Sequence, residues 1–503
     1  MSITLFFSRN LLVVVRIALA AIWFLATSPF ACHAAAARLN TTVLIVGGGL
    51  TGLTTAYELN KAGIDSVILE ASPRIGGRVQ SVRLMDGDSA EAHMEEYFER
   101  NPAVALLREL GLGQQLVPDE AHSSVRIGGK NYPYRGDGDR DEYLKGIFSE
   151  AEAAAFLKWN DKVWALYTNL HARHVSGGPL PPDLAALRRI SFSAFVARDR
   201  LPEKVSEWIR VTVEPEMAVE WDKISALDGI DEFRLFLNTP DGFGEKNYHV
   251  KGGNSKFTAA LAARLGRLPI TNAMVTEIRQ SAESVVVRYL RDGSSYHEAE
   301  AKYVVVTVPV PNLGRIQFIP SLSEDKKRAI ATTRFGSYVK VHLGIAPAAA
   351  RLWEKDGESV LTLLSDSPAG SIYDATDLQD APADRDRILT LLVHARFAKA
   401  LLGLSSDEIR EECIKGLDKL FPGVQPHVKF AEVFVFPQAV AYWPLELGRS
   451  RFDELAAKLR EPQGRLFIGG DMTENSHSEG AVLAAFRMSQ AIAKREDRAI
   501  PAR

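Results

Sequence analysis

Cysteine is nearly missing: the 503 residues hold two, Cys32 and Cys413. Cys32 lies in an N-terminal stretch that reads as a removable signal, so the mature chain has no intrachain disulfide to form. Histidine is also sparse, at 11 residues. None stands at ligand spacing with Cys, Asp or Glu, which leaves metal chemistry without support. Charge of one sign does not dominate, since 60 Lys and Arg face 63 Asp and Glu for a net −3. Loss of Arg9 and Arg16 with the signal would take that to −5, a mild acidity that argues against nucleic acid as a partner. Internal repeats and low-complexity linkers are absent.

Long apolar runs are missing too, except near the start. Arg9 and Arg16 are the sole charged side chains before Arg38, Ile17 to Phe24 form a short apolar run, and Ala31-Cys-His-Ala34 suits a signal peptidase. Residues 1–36 therefore read as a secretory signal peptide, with export to a periplasmic compartment. A retained membrane anchor is the second reading, although Arg16 interrupts the run and leaves it short of the roughly 20 residues a span needs. Arg9 is followed by Asn10, so the twin-arginine pair that exports prefolded proteins is absent and the route stays open.

What the chain does have is glycine at patterned places. The apolar run Val43 to Val46 suits a buried parallel strand and ends in Gly47, Gly49 and Gly52, at G-x-G-x-x-G spacing. Gly47 allows a tight turn, Gly49 a close approach of backbone to pyrophosphate, and Gly52 close helix–strand packing. A helix from about Leu50 to Ala62, stopped by Gly63, aims its positive end at the phosphates. A second strand, Val67 to Leu69, carries Glu70 to its tip, where a carboxylate can accept from a ribose diol.

The next segment, Arg74-Ile-Gly-Gly-Arg78, narrows the cofactor. It resembles the glycine-glycine-arginine signature of two-dinucleotide FAD enzymes, the group of the flavin monoamine and polyamine oxidases and the phytoene desaturase-like proteins. In that resemblance Gly77 and Arg78 lie beside the diphosphate and flavin, and Arg78 is a planar, permanent cation suited to phosphate. The C-terminal stretch Gly464 to Ala481 resembles the family's closing motif, with Gly470 and Asp471 where the family has Gly-Glu, then Glu479-Gly480-Ala481 opening a helix under the flavin. The resemblance gives Asp471 a ribityl hydroxyl to bind. Ser476 and Glu479 also match a capping box, and a plain helix cap is the favoured reading of Glu479. A middle block starts at Lys251-Gly-Gly-Asn-Ser-Lys256 and leads into a helix, Phe257 to about Leu265. Strands Met274 to Ile278 and Ser284 to Tyr289 follow, with a hairpin turn at Arg291-Asp-Gly. There the resemblance implies that Val275 touches adenine through its backbone.

The implied fold is α/β: a two-dinucleotide-binding, Rossmann-like FAD domain from residues 38–130, 245–318 and 430–495. A discontinuous α+β substrate domain, 131–244 and 319–429, would be a sheet covered by helices. The composition, 46% hydrophobic and 24% charged, is that of a globular chain with room for both. Gly136 to Asp141 reads as a solvated loop. Animal-type monoamine oxidases attach their flavin through a cysteine in a Gly-Gly-Cys-Tyr segment. The matching stretch here is Val440-Ala441-Tyr442-Trp443, with alanine at that place, so FAD is expected to be non-covalent.

The implied reaction is oxidation of an amine C–N bond by hydride transfer to flavin N5, giving an imine that water hydrolyses to a carbonyl compound, with O2 or a cytochrome-type protein as acceptor. Oligomeric state is open. Tyr442 and Trp443 match the family's aromatic wall around the amine, with core packing as the equal alternative. His477 takes the place of a usual tyrosine and is read as selecting substrate or titrating near neutral pH, or else as a loop histidine. Arg315 stands where the family has a flavin-facing lysine, and it either binds a substrate carboxylate or points to solvent. The family's small residues beside the flavin are replaced by the bulkier Glu91 to Phe98, and the acidic set Glu214, Glu216, Glu220 and Asp222 reads as solvated surface. The other function class open at this point is a desaturase or protoporphyrinogen oxidase-like enzyme acting on an apolar substrate.

Overall fold

Val43, Leu44, Ile45 and Val46 are buried on both faces, as a central strand between layers of helix requires. Their strand, Leu39–Val46, runs parallel to Ser66–Leu69, and the helix Leu50–Lys61 crosses between them. Gly63 ends that helix at φ +69°, a conformation that favours glycine. These positions belong to a computed structural model described over residues 39–119, 123–134, 140–176, 180–240, 242–355, 358–378 and 385–501. The signal-peptide expectation for residues 1–36 and most of the Gly136–Asp141 loop lie outside the described residues.

The first sheet has seven strands, in the order Gln317–Ile319, Ala273–Gln280, Val285–Arg291, Ser295–Val306, Leu39–Val46, Ser66–Leu69. The seventh strand, Leu466–Ile468, runs parallel to Ser295–Val306. The middle block is thus an antiparallel meander laid against a parallel core. Its hairpin turns at Asp292 and Gly293, with φ of +49° and +69°, the double left-handed turn that matches strand twist. The closing helix, Ser478–Arg495, packs along Leu50–Lys61. Apolar residues of both, including Leu53, Ala56, Val482 and Met488, share one core.

A second sheet of seven strands runs Val428–Tyr442, Arg334–Ile345, Arg387–His394, Ser371–Asp374, Leu363–Ser365, Ser124–Ile127, Lys130–Tyr132. It takes in two stretches that the sequence assigned to FAD binding, 124–130 and 430–442. Their strand patterns carry no mark of which sheet they join, and only pairing with Leu363–Ser365 and Arg334–Ile345 decides it. On the strand Arg334–Ile345, Val339, Val341 and Leu343 sink into a core under the helices Ala395–Leu401 and Ser406–Leu420. The period of two sends Tyr338, Lys340 and His342 to the opposite face.

The long helical insert forms Glu150–Ser176, Phe192–Arg198, Glu203–Met217 and Ala226–Phe233 around an aromatic core of Phe156, Trp159, Phe192, Trp208 and Phe233. Both sheets and the insert belong to one compact unit, Asn40–Arg503.

Candidate active site

The turn after the first strand is built from glycine because nothing larger fits. A Cβ on Gly52 would lie 2.0 Å from the Gly47 carbonyl oxygen, and one on Gly47, at φ +110°, 2.6 Å from Thr307 Oγ1. Gly49 differs: a Cβ there would meet only the Gly77 Cα, at 3.8 Å, so its backbone borders open space. Gly76 donates its N–H to the Gly48 carbonyl at 2.8 Å and bridges to Gly49, which sets the two glycine signatures against each other. No side chain caps the helix that starts after Gly49. Its first N–H groups face the cavity with their positive dipole end, the arrangement that binds phosphate.

The cavity is about 980 Å³ and runs past Glu70, the glycine turn, Arg78 and Asp471 to His477. At one end, Glu70 accepts from the Gly48 N–H at 2.6 Å and the Ser72 N–H at 2.8 Å, and Val275 forms part of the wall. In the middle, Arg78 ion-pairs with Asp471 and donates to the Ala439 carbonyl at 2.9 Å. Asp471 keeps its other oxygen, Oδ2, buried on the cavity wall with no hydrogen-bond partner among the described residues. A buried carboxylate oxygen left unpaired is costly, and a ligand hydroxyl would satisfy it. With the open backbone at Gly49, this donor and acceptor set fits the phosphates and ribityl chain of FAD. Ala481 also lines the cavity.

The six glycine expectations divide. Gly47, Gly49 and Gly77 border the cavity; Gly52 is a packing contact behind it, as its spacing role implied. Gly470 and Gly480 do not line the cavity. A Cβ on Gly480 would lie 2.4 Å from Asn475 Oδ1, and one on Gly470 2.8 Å from Met472 Sδ, so both are glycine to close the turn around Asp471. Glu479 is not a helix cap either. It accepts from Arg234 at 2.5 Å and from Asn475, while Ser476 turns away to the Ala441 carbonyl and His477 occupies the N-cap position without a side-chain cap.

Arg315 is placed away from any reacting centre. The strand that follows it pairs with Ala273–Gln280 in the register Gln317 to Glu277, which brings Arg315 level with Val275 at the nucleotide end, exposed. Tyr442 and Trp443 also miss the cavity. Their strand presents Phe436, Ala439 and Val440 to it, whereas Trp443 is buried past its end and Tyr442 packs on the helical core. The core-packing reading holds for both, and Cys413, buried under the second sheet with its thiol pushed up to about 12 by burial, is remote from a flavin link.

The aromatic wall comes instead from residues the sequence reading missed. Tyr338, Tyr373 and Phe436 on the second sheet face the cavity, with His93 packed on Phe436 at 4.0 Å between ring centres. His93 belongs to the bulky segment after Arg78, and Lys340 fixes that segment. The Lys340 side chain is 1% exposed; its ammonium donates to the carbonyls of Glu91, at 3.2 Å, and of His93, and pairs with Glu95. Burial, aided by Lys340, Arg78 and Arg74, holds the His93 imidazole down at about 3, so it is neutral.

His477 does face the cavity, and it has a partner: Glu232 Oε1 lies 3.0 Å from its Nε2. Burial works against the His477 cation, but Glu232 and then Glu216 outweigh it and raise the imidazole above its ordinary value. Burial likewise opposes the Glu232 anion, which His477 and Arg234 nonetheless hold below the usual carboxylate range. The Glu216 carboxyl, desolvated and beside the Glu232 charge, is pushed up to about 7. The expectation of a solvated acidic surface therefore fails for Glu214 and Glu216 and holds for Glu220 and Asp222. Glu214 is buried against Arg210 at 3.1 Å and Glu216 opens on the cavity, whereas Glu220 meets Lys399 at 2.9 Å and Asp222 meets Lys223 at 3.1 Å in surface pairs. Pro215 beside Glu216 was the available signal, because a proline in the last turn of a helix marks an irregular end. Glu232, Tyr338 and Tyr373 carried none.

Similarity to known proteins was found at three levels. Residues 50–493 match the model of the flavin containing amine oxidoreductases. The chain is 25% identical over 481 residues to a probable flavin-containing monoamine oxidase A of Dictyostelium discoideum, covering 90% of this chain and 97% of that one. It is 26% identical over 484 residues to a flavin-containing amine oxidase of Danio rerio, at 90% and 85% coverage. Among solved structures, putrescine oxidase bound to putrescine superposes with a TM-score of 0.74 at 23% identity, over 91% of this chain and all of that one. Cyclohexylamine oxidase from Brevibacterium oxydans does so at 0.71 and 20%. The glycine cradle, the unpaired Asp471 oxygen and a family match across nearly the whole described chain agree: this protein belongs to the flavin-containing amine oxidoreductases.

Proposed function

We propose that the mature protein is exported and oxidises a small amine, with non-covalently bound FAD, to an imine that water hydrolyses to a carbonyl product, and that O2 re-oxidises the flavin. The observation that carries this reading is the joining, in one cavity, of a dinucleotide cradle to an aromatic chamber ending in Glu216, Glu232 and His477. When bound, FAD supplies the hydride acceptor. The protein's part is to hold the C–H next to nitrogen against the flavin, exclude water and manage the proton on nitrogen. Arg78, Asp471 and the Leu50–Lys61 helix start would hold the cofactor, and Tyr338, Tyr373 and Phe436 would flank the amine.

A purely apolar substrate, as a desaturase would take, is a poor match for this chamber. It would strip water from Glu216 and the Glu232–His477 pair and return no hydrogen bond. The deciding experiment is anaerobic mixing of the FAD-loaded protein with a panel of amines, amino acids, polyamines and apolar polyenes. Bleaching of the flavin absorbance by an amine is the expected result, and bleaching by a polyene alone would reverse the assignment. Repeating the reaction in air and with cytochrome c names the acceptor, and fractionation of the producing cell tests export.

A further inference from the structure

An amine enters such a site as an ammonium ion but must be neutral before its neighbouring carbon can release a hydride. Some group must take that proton, and the cavity offers few that can. His93 is held neutral at about 3, far too weak a base. Glu91 lies behind the wall, accepting from Ser81 Oγ at 2.8 Å and the Asn254 N–H at 2.7 Å, whereas Glu245 on the wall accepts from the Arg100 N–H at 3.2 Å and pairs with the Arg100 side chain at 3.6 Å, and His171 is exposed and stacked on Tyr167. Glu95 is tied to Lys340, Glu96 accepts from Asn247 at 2.6 Å, and Arg234 is paired with Glu479. Glu216 remains, half-buried because its carboxyl opens on the cavity, with no Lys or Arg pairing to it among the described residues.

Its placement is firmly built. The helix Glu203–Met217 ends at Ala218 in the left-handed conformation, φ +54°. The Tyr338 hydroxyl donates to the carbonyls of Pro215 and, at 3.3 Å, of Glu216, which pins the last turn to the second sheet. Behind Glu216 sit Glu232 and His477, one a deeply buried anion and the other its cation. Of the other charges on the neighbouring elements, Arg234 pairs with Glu479, Arg451 with Asp231 and Arg100 with Glu245, while Asp228 is held by Ser225, Ser450 and the Arg451 N–H. Tyr338 and Tyr373 are neutral, their hydroxyls pushed well above the ordinary phenol value by burial and by Glu216 among other carboxylates. Ionised Glu216 thus adds a negative charge with no Lys or Arg of its own among the described residues, which one ammonium ion would cancel.

We propose that Glu216, backed by the Glu232–His477 pair, is the catalytic base that removes the proton from the substrate ammonium. This rests on the amine-oxidising reading above. An N–H bond of the ammonium breaks and an O–H bond forms on the Glu216 carboxylate, leaving both partners neutral. The nitrogen lone pair then forms the C=N bond as the C–H electron pair leaves as hydride, so the amine is oxidised by two electrons and FAD is reduced. A protonated Glu216 suits a site closed to water, since both charges vanish together where they are most costly to keep. Glu232 holds the His477 imidazole above its ordinary value, and that cation keeps the Glu216 carboxyl from rising further.

The test is Glu216→Gln in the FAD-loaded enzyme, followed by stopped-flow flavin reduction with the fastest amine of the panel. Wild type is expected to gain rate as pH rises through about 7, where Glu216 loses its proton. The variant should be slower by about 100-fold at neutral pH and follow only the amine's own ionisation near pH 10. His477→Gln, which removes the cation beside Glu216, should move the wild-type limb to higher pH. Infrared difference spectra taken at about pH 6 and about pH 8 give a readout apart from turnover: the protonated-carboxyl intensity lost in wild type is larger than in Glu216→Gln, which keeps only the part due to Glu91, a carboxyl that burial also pushes up to about 7. Glu216→Asp keeps the limb at reduced rate and decides the matter if the glutamine variant does not retain FAD. A variant that keeps both the wild-type rate and the limb, or an infrared loss undiminished by the substitution, overturns the proposal. If no amine bleaches the wild-type flavin, the amine-oxidising reading fails instead, while the infrared band still reports whether Glu216 titrates there.

Discussion

The two ends of the cavity are specified in different ways. At the nucleotide end the backbone does the binding, and the decisive residues are those with no side chain: Gly47, Gly49, Gly52 and Gly77. At the amine end the side chains bind, and they arrive from remote parts of the chain: Glu216 and Glu232 from the helical insert, Tyr338 and Phe436 from the second sheet, His477 from the closing motif. A backbone site is a local property of some 35 residues and can tolerate almost no change. A side-chain site is assembled by the fold and can be re-specified one residue at a time. This difference orders the expected effects of mutation.

The largest effect is expected at Gly52. A Cβ 2.0 Å from the Gly47 carbonyl cannot be relieved by rotating a side chain, because backbone stands on both sides. Gly52→Ala should separate the helix from the strand and cost FAD affinity tenfold or more, upwards of about 1.4 kcal/mol. The measurement is the flavin-to-protein absorbance ratio after gel filtration. Gly63→Ala is the control that sharpens the contrast. Nothing lies within 4 Å of its added Cβ, and only the φ of +69° is strained, so stability should fall by about 1 kcal/mol with flavin content unchanged.

Next comes Asp471, where the two ends meet. Asp471→Asn keeps the shape but removes the charge that balances Arg78 and one of the two acceptor oxygens. FAD affinity should fall about tenfold, roughly the loss of a charge-assisted hydrogen bond, and less at high salt because the Arg78 side chain is partly exposed. Titration of the apoprotein with FAD, followed by flavin fluorescence, reads it. Unchanged affinity would mean that the unpaired Asp471 oxygen does not meet the cofactor.

The same division explains what was legible in the sequence. The strand, turn, helix and Glu70 of the nucleotide end are contiguous, so their spacing states the geometry outright, and the structure reproduces them within a residue except that the first strand begins earlier, at Leu39. The hairpin at Asp292-Gly293 was readable for the same reason. The amine end was not, because its neighbours are set by pairing between distant strands. Position along the strand sets which residues reach the cavity, so a match offset by a few positions puts Tyr442 and Trp443 on the wall when Phe436, Ala439 and Val440 hold it. Arg315 failed similarly: nearness in sequence to a flavin-facing position said nothing of the register that sets it beside Val275. Glu216 was misread because charge alone suggests solvent, and only the helix end pinned by Tyr338 turns it inward.

Tyr338→Phe probes that pin. Loss of the hydroxyl leaves the Pro215 and Glu216 carbonyls without their donor, and the last helical turn gains freedom. Net hydrogen bonds of this kind contribute about 1 kcal/mol, so flavin reduction should slow about fivefold with FAD content intact. A rate unaffected by the change would detach Glu216 from the sheet and weaken the view that the amine end depends on distant packing.

The smallest effect, and the most selective, is the pH dependence of stability carried by His477 and Glu232. The His477 value is raised in the folded protein, so its stabilising contribution is complete below the unfolded histidine value near 6.5 and fades as pH climbs through the raised one. The Glu232 value is lowered, so its contribution is complete above the unfolded carboxylate value of about 4.3 and fades as pH falls through the lowered one. The pair therefore stabilises most in the window between, and His477→Gln should flatten the alkaline fall of the melting temperature while lowering its mildly acidic maximum. The shift should be a few degrees at most, since a chain of this length dilutes a change of about 1 kcal/mol over a large unfolding entropy. Melting curves of apoprotein and FAD-loaded protein at a series of pH values would separate this from cofactor binding. The same flattening in both forms places the effect in the His477–Glu232 pair, and a flattening confined to the loaded form would tie His477 to the cofactor end of the cavity.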